Sequence, residues 1–278
     1  EINKSGDTKN EIVLMENITL GVNYTLTNDK ATTIKTTTIK GEGHTIFVEP
    51  NAGITVTGKG NVLNLGAEGY KGTLTIDRDP RDGSVPETRG AFITVSGGAT
   101  ANMYGNVTLQ NWQFAGNACV VIMGSESVFN MHGGVIENCS RAVTAGSRTT
   151  FNMSGGKIRN REGIRGSGNG GGVRVYEATF VMSGGTISGC TADTGGGLYA
   201  TNQSTITINN GTISECTAEM EEGGGLYATN QSTININNGT ISGCKAQAYK
   251  DGGGLYADNS AININKGTIS GCDGRWGG

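Results

Sequence analysis

Apolar and polar residues alternate along much of the chain in short runs of about four to six residues. In the segment STITIN (204–209), the isoleucines fall on one face and the threonines on the other. This alternation of β-branched residues, bounded by Gly and Asn, predicts half-buried β-strands. Because no segment carries an apolar face with a period of 3.6 residues, repeats built from amphipathic helices are excluded.

The strand pattern is part of a longer repeat. GGGLYATNQSTITINNGTISEC (195–216) returns as GGGLYATNQSTININNGTISGC (223–244) and as GGGLYADNSAININKGTISGC (252–272). Cys190, Cys216, Cys244 and Cys272 mark the period, with spacings of 26, 28 and 28 residues. A chain that copies itself at this period is a stack of similar supersecondary units.

Each unit of about 26–29 residues holds three short strand-like runs. We therefore predict an all-β fold, a right-handed single-stranded parallel β-helix (β-solenoid) with three strands per coil and coils about 4.8 Å apart. The handedness follows from the usual rule for parallel crossovers. Isoleucine columns form the expected core, and Gly runs and the pairs Asn209–Asn210 and Asn237–Asn238 are expected at corners, where positive φ is tolerated.

The repeat extends upstream in weaker form, in VFNMHGGVI (128–136), FNMSGGKI (151–158) and FVMSGGTI (180–187). We expect one β-helix domain over residues 1–278, with irregular coils in 1–127 and regular coils in 128–278. Residues 77–90 hold two of the three prolines and many charges, which predicts a projecting loop. The last residues resemble the start of a further coil, so we expect a fragment truncated at its C-terminus.

The composition narrows the possible partners. With 48 Gly and 6% aromatic residues, the chain can build only a thin, continuous core. The net charge of −3 argues against nucleic acid, which requires a basic surface. No apolar run reaches 18 residues, so we expect no membrane insertion. We expect a monomer.

The cysteines allow two interpretations. Five of the six share one column, and Cys119 lies outside it. Free, buried thiols acting as small apolar residues are the favoured interpretation, and disulfides between adjacent coils are the alternative. A zinc site needs ligands that converge from several directions, and cysteines in one straight column do not converge in this way. Glu215, and the glycines at the same place in sister coils, predict a bend that turns each cysteine inward; the column is Cys139, Cys190, Cys216, Cys244 and Cys272.

Few residues suggest catalysis or a cofactor. The two histidines, His44 and His132, lie about three coils apart, and His132 takes a turn position held by Ser154 and Ser183 in sister coils. Asp77, Asp79 and Asp82–Gly83 resemble a calcium loop with one residue too many, so we interpret them as a solvated loop. We predict no catalytic residue, no metal and no cofactor.

An enzyme remains the main alternative. Paired carboxylates about 5–10 Å apart hydrolyse glycosidic bonds, and one or two coils provide that separation. Such residues would make the chain a polysaccharide lyase or glycoside hydrolase. The acids of the variable loops are Asp193, Glu219, Glu221, Glu222 and Asp251.

Outward columns suggest binding instead. Tyrosines beside amides provide apolar surface and hydrogen-bond partners for a polysaccharide or host glycan; the alternative is that they only reinforce the sheet. A Thr-x-Ser ladder starting at Thr186/Ser188 and continuing through Thr268/Ser270 raises ice binding as a second alternative. The predicted ligand-binding residues are Tyr199, Tyr227, Tyr256, Asn202, Asn230 and Asp258.

The segment MSGGTISGCTADTGGGLYA (182–200) resembles the repeats of bacterial cell-surface parallel β-helix proteins. These include adhesin-like proteins and, more distantly, polymorphic outer-membrane proteins. The resemblance implies a secreted or surface-anchored bacterial module that acts as a stalk or adhesin outside the cell. It implies no catalytic residues.

Overall fold

The computed structural model describes residues 9–27, 35–78, 90–113, 116–161, 164, 168–247 and 251–275. These residues form 32 β-strands and no helix. The strands associate into two sheets of ten strands, one of nine and one of three. Successive strands of the chain enter different sheets in turn, which is the connectivity of a β-solenoid, so the predicted fold with three main strands per coil is confirmed.

The strands are numbered along the chain. The first sheet contains β1 (Lys9–Val13), β4 (Thr36–Lys40), β7 (Val62–Leu65), β10 (Thr100–Met103), β13 (Val128–Met131), β16 (Thr150–Met153), β19 (Thr179–Met182), β23 (Thr205–Ile208), β27 (Thr233–Ile236) and β31 (Ala261–Ile264). The second contains β2 (Ile18–Leu20), β5 (Thr45–Val48), β8 (Leu74–Arg78), β11 (Val107–Gln110), β14 (Val135–Glu137), β17 (Lys157–Arg159), β20 (Thr186–Ser188), β24 (Thr212–Ser214), β28 (Thr240–Ser242) and β32 (Thr268–Ser270).

The third sheet contains β3 (Asn23–Leu26), β6 (Gly53–Thr57), β9 (Ile93–Ser96), β12 (Val120–Ile122), β15 (Val143–Ala145), β18 (Val173–Tyr176), β22 (Leu198–Thr201), β26 (Leu226–Ala228) and β30 (Leu255–Ala257). A small fourth sheet contains β21 (Thr191–Ala192), β25 (Thr217–Ala218) and β29 (Lys245–Ala246). These two-residue strands directly follow Cys190, Cys216 and Cys244, so the variable loops begin after them.

The core consists of in-register columns of inward-facing side chains. Phe129, Phe151 and Phe180 stack with ring centroids 5.4 and 5.0 Å apart, and all three are fully buried. Isoleucines continue the same column through β23 and β27. Alternation places every second residue of a strand inside, so that each coil buries the same few positions.

Glycine at the corner between the first two sheets is required by close packing. At Gly156, φ is +84° and an added Cβ would lie 2.7 Å from the Met131 Cε of the preceding coil. The expected Asn pairs play a different part, because positive φ falls on Gly211 rather than on Asn209 or Asn210. Asn237 Nδ2 instead donates to Asn209 Oδ1 at 2.7 Å, forming an amide ladder along the axis.

The predicted bend before each cysteine is confirmed. Glu215 and Gly189 have φ of 55° and 61°, and the thiols that follow them point inward. Cys190, Cys216 and Cys244 are buried free thiols, and Cys272 is half-buried and free. A hydrogen bond with the Cys190 thiol, followed by burial, raises the pKa of Cys216 well above its ordinary value.

The prediction of a free thiol is wrong for Cys139, the remaining member of this column, because Cys139 forms a disulfide with Cys119. Cys119 occupies the third-sheet position that Gly197 occupies in the regular coils, as the strand register shows. In a regular coil, the Cβ of a residue at Gly197 would lie 3.2 Å from Cys216 Sγ. The disulfide therefore closes one coil across its interior, whereas the alternative interpretation placed disulfides between coils.

Of the predicted projecting loop, residues 79–89 lie outside the described residues, as do Asp79 and Asp82 of the calcium-like pattern. Asp77 lies within β8 and accepts hydrogen bonds from Gln110 Nε2 and Asn111 Nδ2 at 2.7 and 2.8 Å. The described part of the chain contains no helical segment that could span a membrane.

Candidate functional site

A tyrosine column runs along the outside of the third sheet. β22, β26 and β30 pair in register, so that Tyr199, Tyr227 and Tyr256 occupy one rung each. The flanking Leu198 and Ala200 are fully buried, which leaves the tyrosines on the opposite, outward face of the strands. The structure thus brings together the three tyrosines that the sequence predicts.

The tyrosine rings stack on one another. The centroids of Tyr199 and Tyr227 are 5.4 Å apart with 1° between the ring planes, and those of Tyr227 and Tyr256 are 5.5 Å apart with 16°. Tyr199 is only 9% exposed, and Tyr227 and Tyr256 are half-buried. Because both ring faces of Tyr227 are covered by its neighbours, the middle of the column presents a ring edge and a hydroxyl group rather than an open ring face.

The Tyr227 hydroxyl is held in its protonated form. Burial, followed by the nearby carboxylates of Glu222 and Asp258, raises the pKa of Tyr227 to about 12. A protonated phenol both donates and accepts hydrogen bonds. The middle of the column therefore carries a neutral hydroxyl with the carboxylates of Glu222 and Asp258 nearby.

Asparagine amides flank the column. Asn230 Nδ2 donates to Asn202 Oδ1 and to Thr201 Oγ1, each at 3.2 Å, so part of the amide capacity is used within the ladder. Asp258 does not belong to this asparagine column, because the register that pairs Ala257 with Ala228 pairs Asp258 with Thr229. Asn259 takes the asparagine position, with φ of 46° beside 54° at Asn230.

Arg174 precedes the column by one rung. The register pairs it with Tyr199, and its Nε is buried without a hydrogen-bond partner. The neighbouring Arg141 is 5% exposed, and burial together with Arg174 lowers the pKa of Arg141 to about 10. The substitution of Arg for Tyr in GGGVRV is the sequence signal that marks this cationic end of the tyrosine face.

The acidic residues of the variable loops lie along one edge of the regular coils. Glu219 N donates to Ala192 O at 2.9 Å, and Glu221 N donates to Asp193 O at 2.9 Å. Glu222 and Asp251 occupy equivalent places in consecutive coils, where their carbonyls accept from Gly195 N and Gly223 N. Among the residues that the structure describes, no three His, Cys, Asp or Glu side chains are grouped so that they could hold a metal ion.

The Thr-x-Ser ladder lies on a different face. Thr186, Thr212, Thr240 and Thr268 are in register along the second sheet, with the serines two residues later also in register. Lys157 and Arg159 interrupt the ladder one coil upstream. The tyrosine column and the hydroxyl ladder therefore offer separate surfaces.

No protein-family model, curated protein or solved structure matches this chain. The assignment of function therefore depends on the geometry of these surfaces.

Proposed function

We propose that the chain is a structural β-solenoid module, displayed outside a bacterial cell as a stalk or adhesin, that binds a neutral glycan along the tyrosine column. The observation that carries the proposal is the row of tyrosines with centroids 5.4 and 5.5 Å apart on one outward face. A rigid array of hydrogen-bonding groups loses little conformational entropy when a ligand binds.

The column suits an extended polymer that lies parallel to the solenoid axis. Adjacent rungs of a sheet are about 4.8 Å apart, which is close to the length of one pyranose unit in an extended polysaccharide. Each unit would then meet one tyrosine hydroxyl. Ring edges would provide apolar contact, and the amides of Asn202 and Asn230 would provide further polar contacts at the margin.

The charges favour a neutral glycan over an acidic one. Glu222 and Asp258 lie close enough to Tyr227 to raise the pKa of its hydroxyl. Carboxylates accept hydrogen bonds from sugar hydroxyls but repel a uronate. Arg174, at the opposite end of the column, is the place where an acidic substituent would be tolerated.

A glycan array followed by affinity measurements on the best ligand tests the proposal. The variant Tyr227→Phe/Tyr256→Phe keeps the stacked rings and removes two hydroxyls. Since a net hydrogen bond contributes about 1 kcal/mol, we expect the Kd to rise by roughly tenfold or more. The matched control, Thr240→Val/Thr268→Val, alters the same two coils on the second sheet and should leave the Kd unchanged.

Two outcomes would reject the proposal. One is that the wild type binds no glycan, or binds with an affinity that the double Phe variant retains. The other is release of new reducing ends from a polysaccharide, abolished in Glu222→Gln, which would establish the enzyme alternative. Labelling of intact source cells with an antibody against the module tests the surface location separately.

A further inference from the structure

A recess opens at the corner between the first and second sheets, among the irregular coils. In the coil of β13 and β14, this corner is turned by residues 132–134, whereas residues 66–73 make the same connection between β7 and β8. The longer connection leaves a recess of about 590 Å³ beside it. This volume lies within the range of small-molecule sites. The lining residues are Ala67, Glu68, Gly69, Tyr70, Tyr104, Gly105, Asn106 and His132.

One wall of the recess is an aromatic pair. The rings of Tyr104 and His132 stack with centroids 5.1 Å apart and 28° between their planes. These residues occupy the same corner of consecutive coils, since Tyr104 N bonds Leu65 O and His132 N bonds Met103 O. His132 therefore covers the Tyr104 ring face that is turned toward the following coil. The other ring face is turned toward the preceding coil, which carries residues 67–70.

This arrangement differs from the tyrosine column in a way that matters for binding. Tyr227 has a ring stacked on each side, whereas Tyr104 has one ring partner, His132, among the described residues. A sugar ring stacks on an aromatic residue through an open ring face, with its C–H groups over the π-system. Tyr104 lines the recess and has one ring partner among the described residues, which makes its second ring face the candidate for this contact.

Polar groups surround the aromatic wall. Asn106 Nδ2 donates to Tyr70 O at 2.9 Å and so fixes the long connection. Tyr70 Oη accepts from Glu42 N at 2.9 Å, and Lys40 Nζ lies 5.5 Å from the Tyr70 ring centroid. Burial raises the pKa of Tyr70, so its hydroxyl proton is retained for donation. Glu68 is exposed at the rim, where its carboxylate can accept hydrogen bonds.

We propose that this recess is a binding site for a single pyranose residue, which stacks on Tyr104 and hydrogen-bonds to Glu68, Asn106 and Tyr70. The site lies on a different corner from the tyrosine column and uses a ring face rather than ring edges. It extends the proposed function without depending on it, because either surface can bind a ligand in the absence of the other.

Histidine NMR provides a direct test, because the chain has two histidines and only His132 lines the recess. Imidazole ¹H–¹³C signals of the whole protein are followed during titration with methyl glucoside, methyl galactoside, methyl mannoside and N-acetylglucosamine. We expect one of these sugars to shift the His132 signals in a saturable manner, while those of His44 stay in place.

Variants connect the shift to the aromatic wall. Tyr104→Ala should weaken binding at least tenfold, and Tyr104→Phe, which keeps the ring, should retain it. Ser183→Ala alters the same corner two coils beyond His132 and should have no effect. Thermal unfolding of each variant checks that the fold is intact.

The inference is overturned if no sugar produces a saturable His132 shift, or if Tyr104→Ala binds as the wild type does. It is also overturned if Tyr227→Phe/Tyr256→Phe abolishes the His132 response, since the shift would then report the other surface. A saturable His132 shift in a protein that binds no polymer on the array would sustain this site while rejecting the proposed function.

Discussion

The irregular and the regular coils fill the same interior position in opposite ways. Upstream, the two facing sites hold Phe92 and Trp112, whose ring centroids are 4.5 Å apart, and in the next coil the disulfide between Cys119 and Cys139. In the regular coils, glycine faces a free cysteine, as Gly197 faces Cys216. The pair of side chains at this position is thus larger upstream, and in the regular coils an added Cβ at Gly197 would lie 3.2 Å from Cys216 Sγ.

The outer surfaces show the same contrast. In the regular coils, identical residues meet rung after rung, so that Tyr227 is sandwiched between two tyrosines and the asparagines bond to one another. In the irregular coils, unlike residues meet, and a longer connection leaves Tyr104 beside a recess. Repetition covers ring faces and pairs amides along the axis, whereas the irregular coils place an aromatic ring beside a recess.

The largest effect is expected where the regular coils are tightest. An added Cβ at Gly225 would lie 2.8 Å from Ile241 Cγ2 and 3.1 Å from Cys244 Sγ. Gly225→Ala should lower the free energy of unfolding by about 4 kcal/mol, through overpacking against both side chains and backbone. Gly105→Ala in the irregular coils is the control, because nothing lies within 4 Å of its Cβ position. Urea denaturation followed by circular dichroism measures both, and equal stabilities would contradict the contrast in packing.

A smaller effect is expected for the disulfide between Cys119 and Cys139, which lies where the irregular coils meet the regular ones. Cys119→Ala/Cys139→Ala opens a loop with a sequence separation of 20 residues, which should lower the free energy of unfolding by about 3 kcal/mol. Cys190→Ala removes one free thiol from a regular coil and should cost only about 1 kcal/mol. A reducing agent should destabilise the wild type but not the double variant. If the stability of the wild type did not change on reduction, the disulfide would not account for a difference in stability between the two regions.

The smallest effect concerns the tyrosine column at alkaline pH. The pKa of Tyr227 rises from 10.0 to about 12, so the unfolded chain loses this proton at lower pH than the folded chain does. Between these values the folded state binds more protons, and stability must fall as pH rises. Tyr227→Phe should lose less stability than the wild type between about pH 9 and about pH 12. Denaturation midpoints across this range measure the difference. Parallel plots of midpoint against pH for the two proteins would show that the Tyr227 hydroxyl is not shielded from solvent.

Local alternation was sufficient to predict the strands and much of the packing. The isoleucines and threonines of 204–209 define a strand whose inner face is fixed by period two. Glu215 also revealed the inward turn of Cys216, because a residue with positive φ reverses the side on which the next side chain falls. These features depend only on neighbouring residues and on stacking of like coils.

Sequence patterns do not predict the position of a side chain where that position depends on contacts across a coil or between coils. Cys119 lies outside the cysteine column, and only the strand register shows that it faces Cys139 from the glycine position. Asn259 continues the asparagine column, and the shortening of the third repeat by one residue after Asn259 hides this register in the sequence. The recess beside Tyr104 depends on the path of residues 66–73, which strand periodicity does not determine.

The in-register pairing of coils has a consequence for how such a chain changes over generations. Asn237 and Asn209, 28 residues apart, make the same contact along the axis that Asn265 makes with Asn237. A duplicated coil would therefore meet the same donors, acceptors and side chains above and below as its parent did. Recombination between repeats could lengthen or shorten the solenoid by one rung of about 4.8 Å without changing any contact between coils. The length of the solenoid can therefore evolve independently of its cross-section.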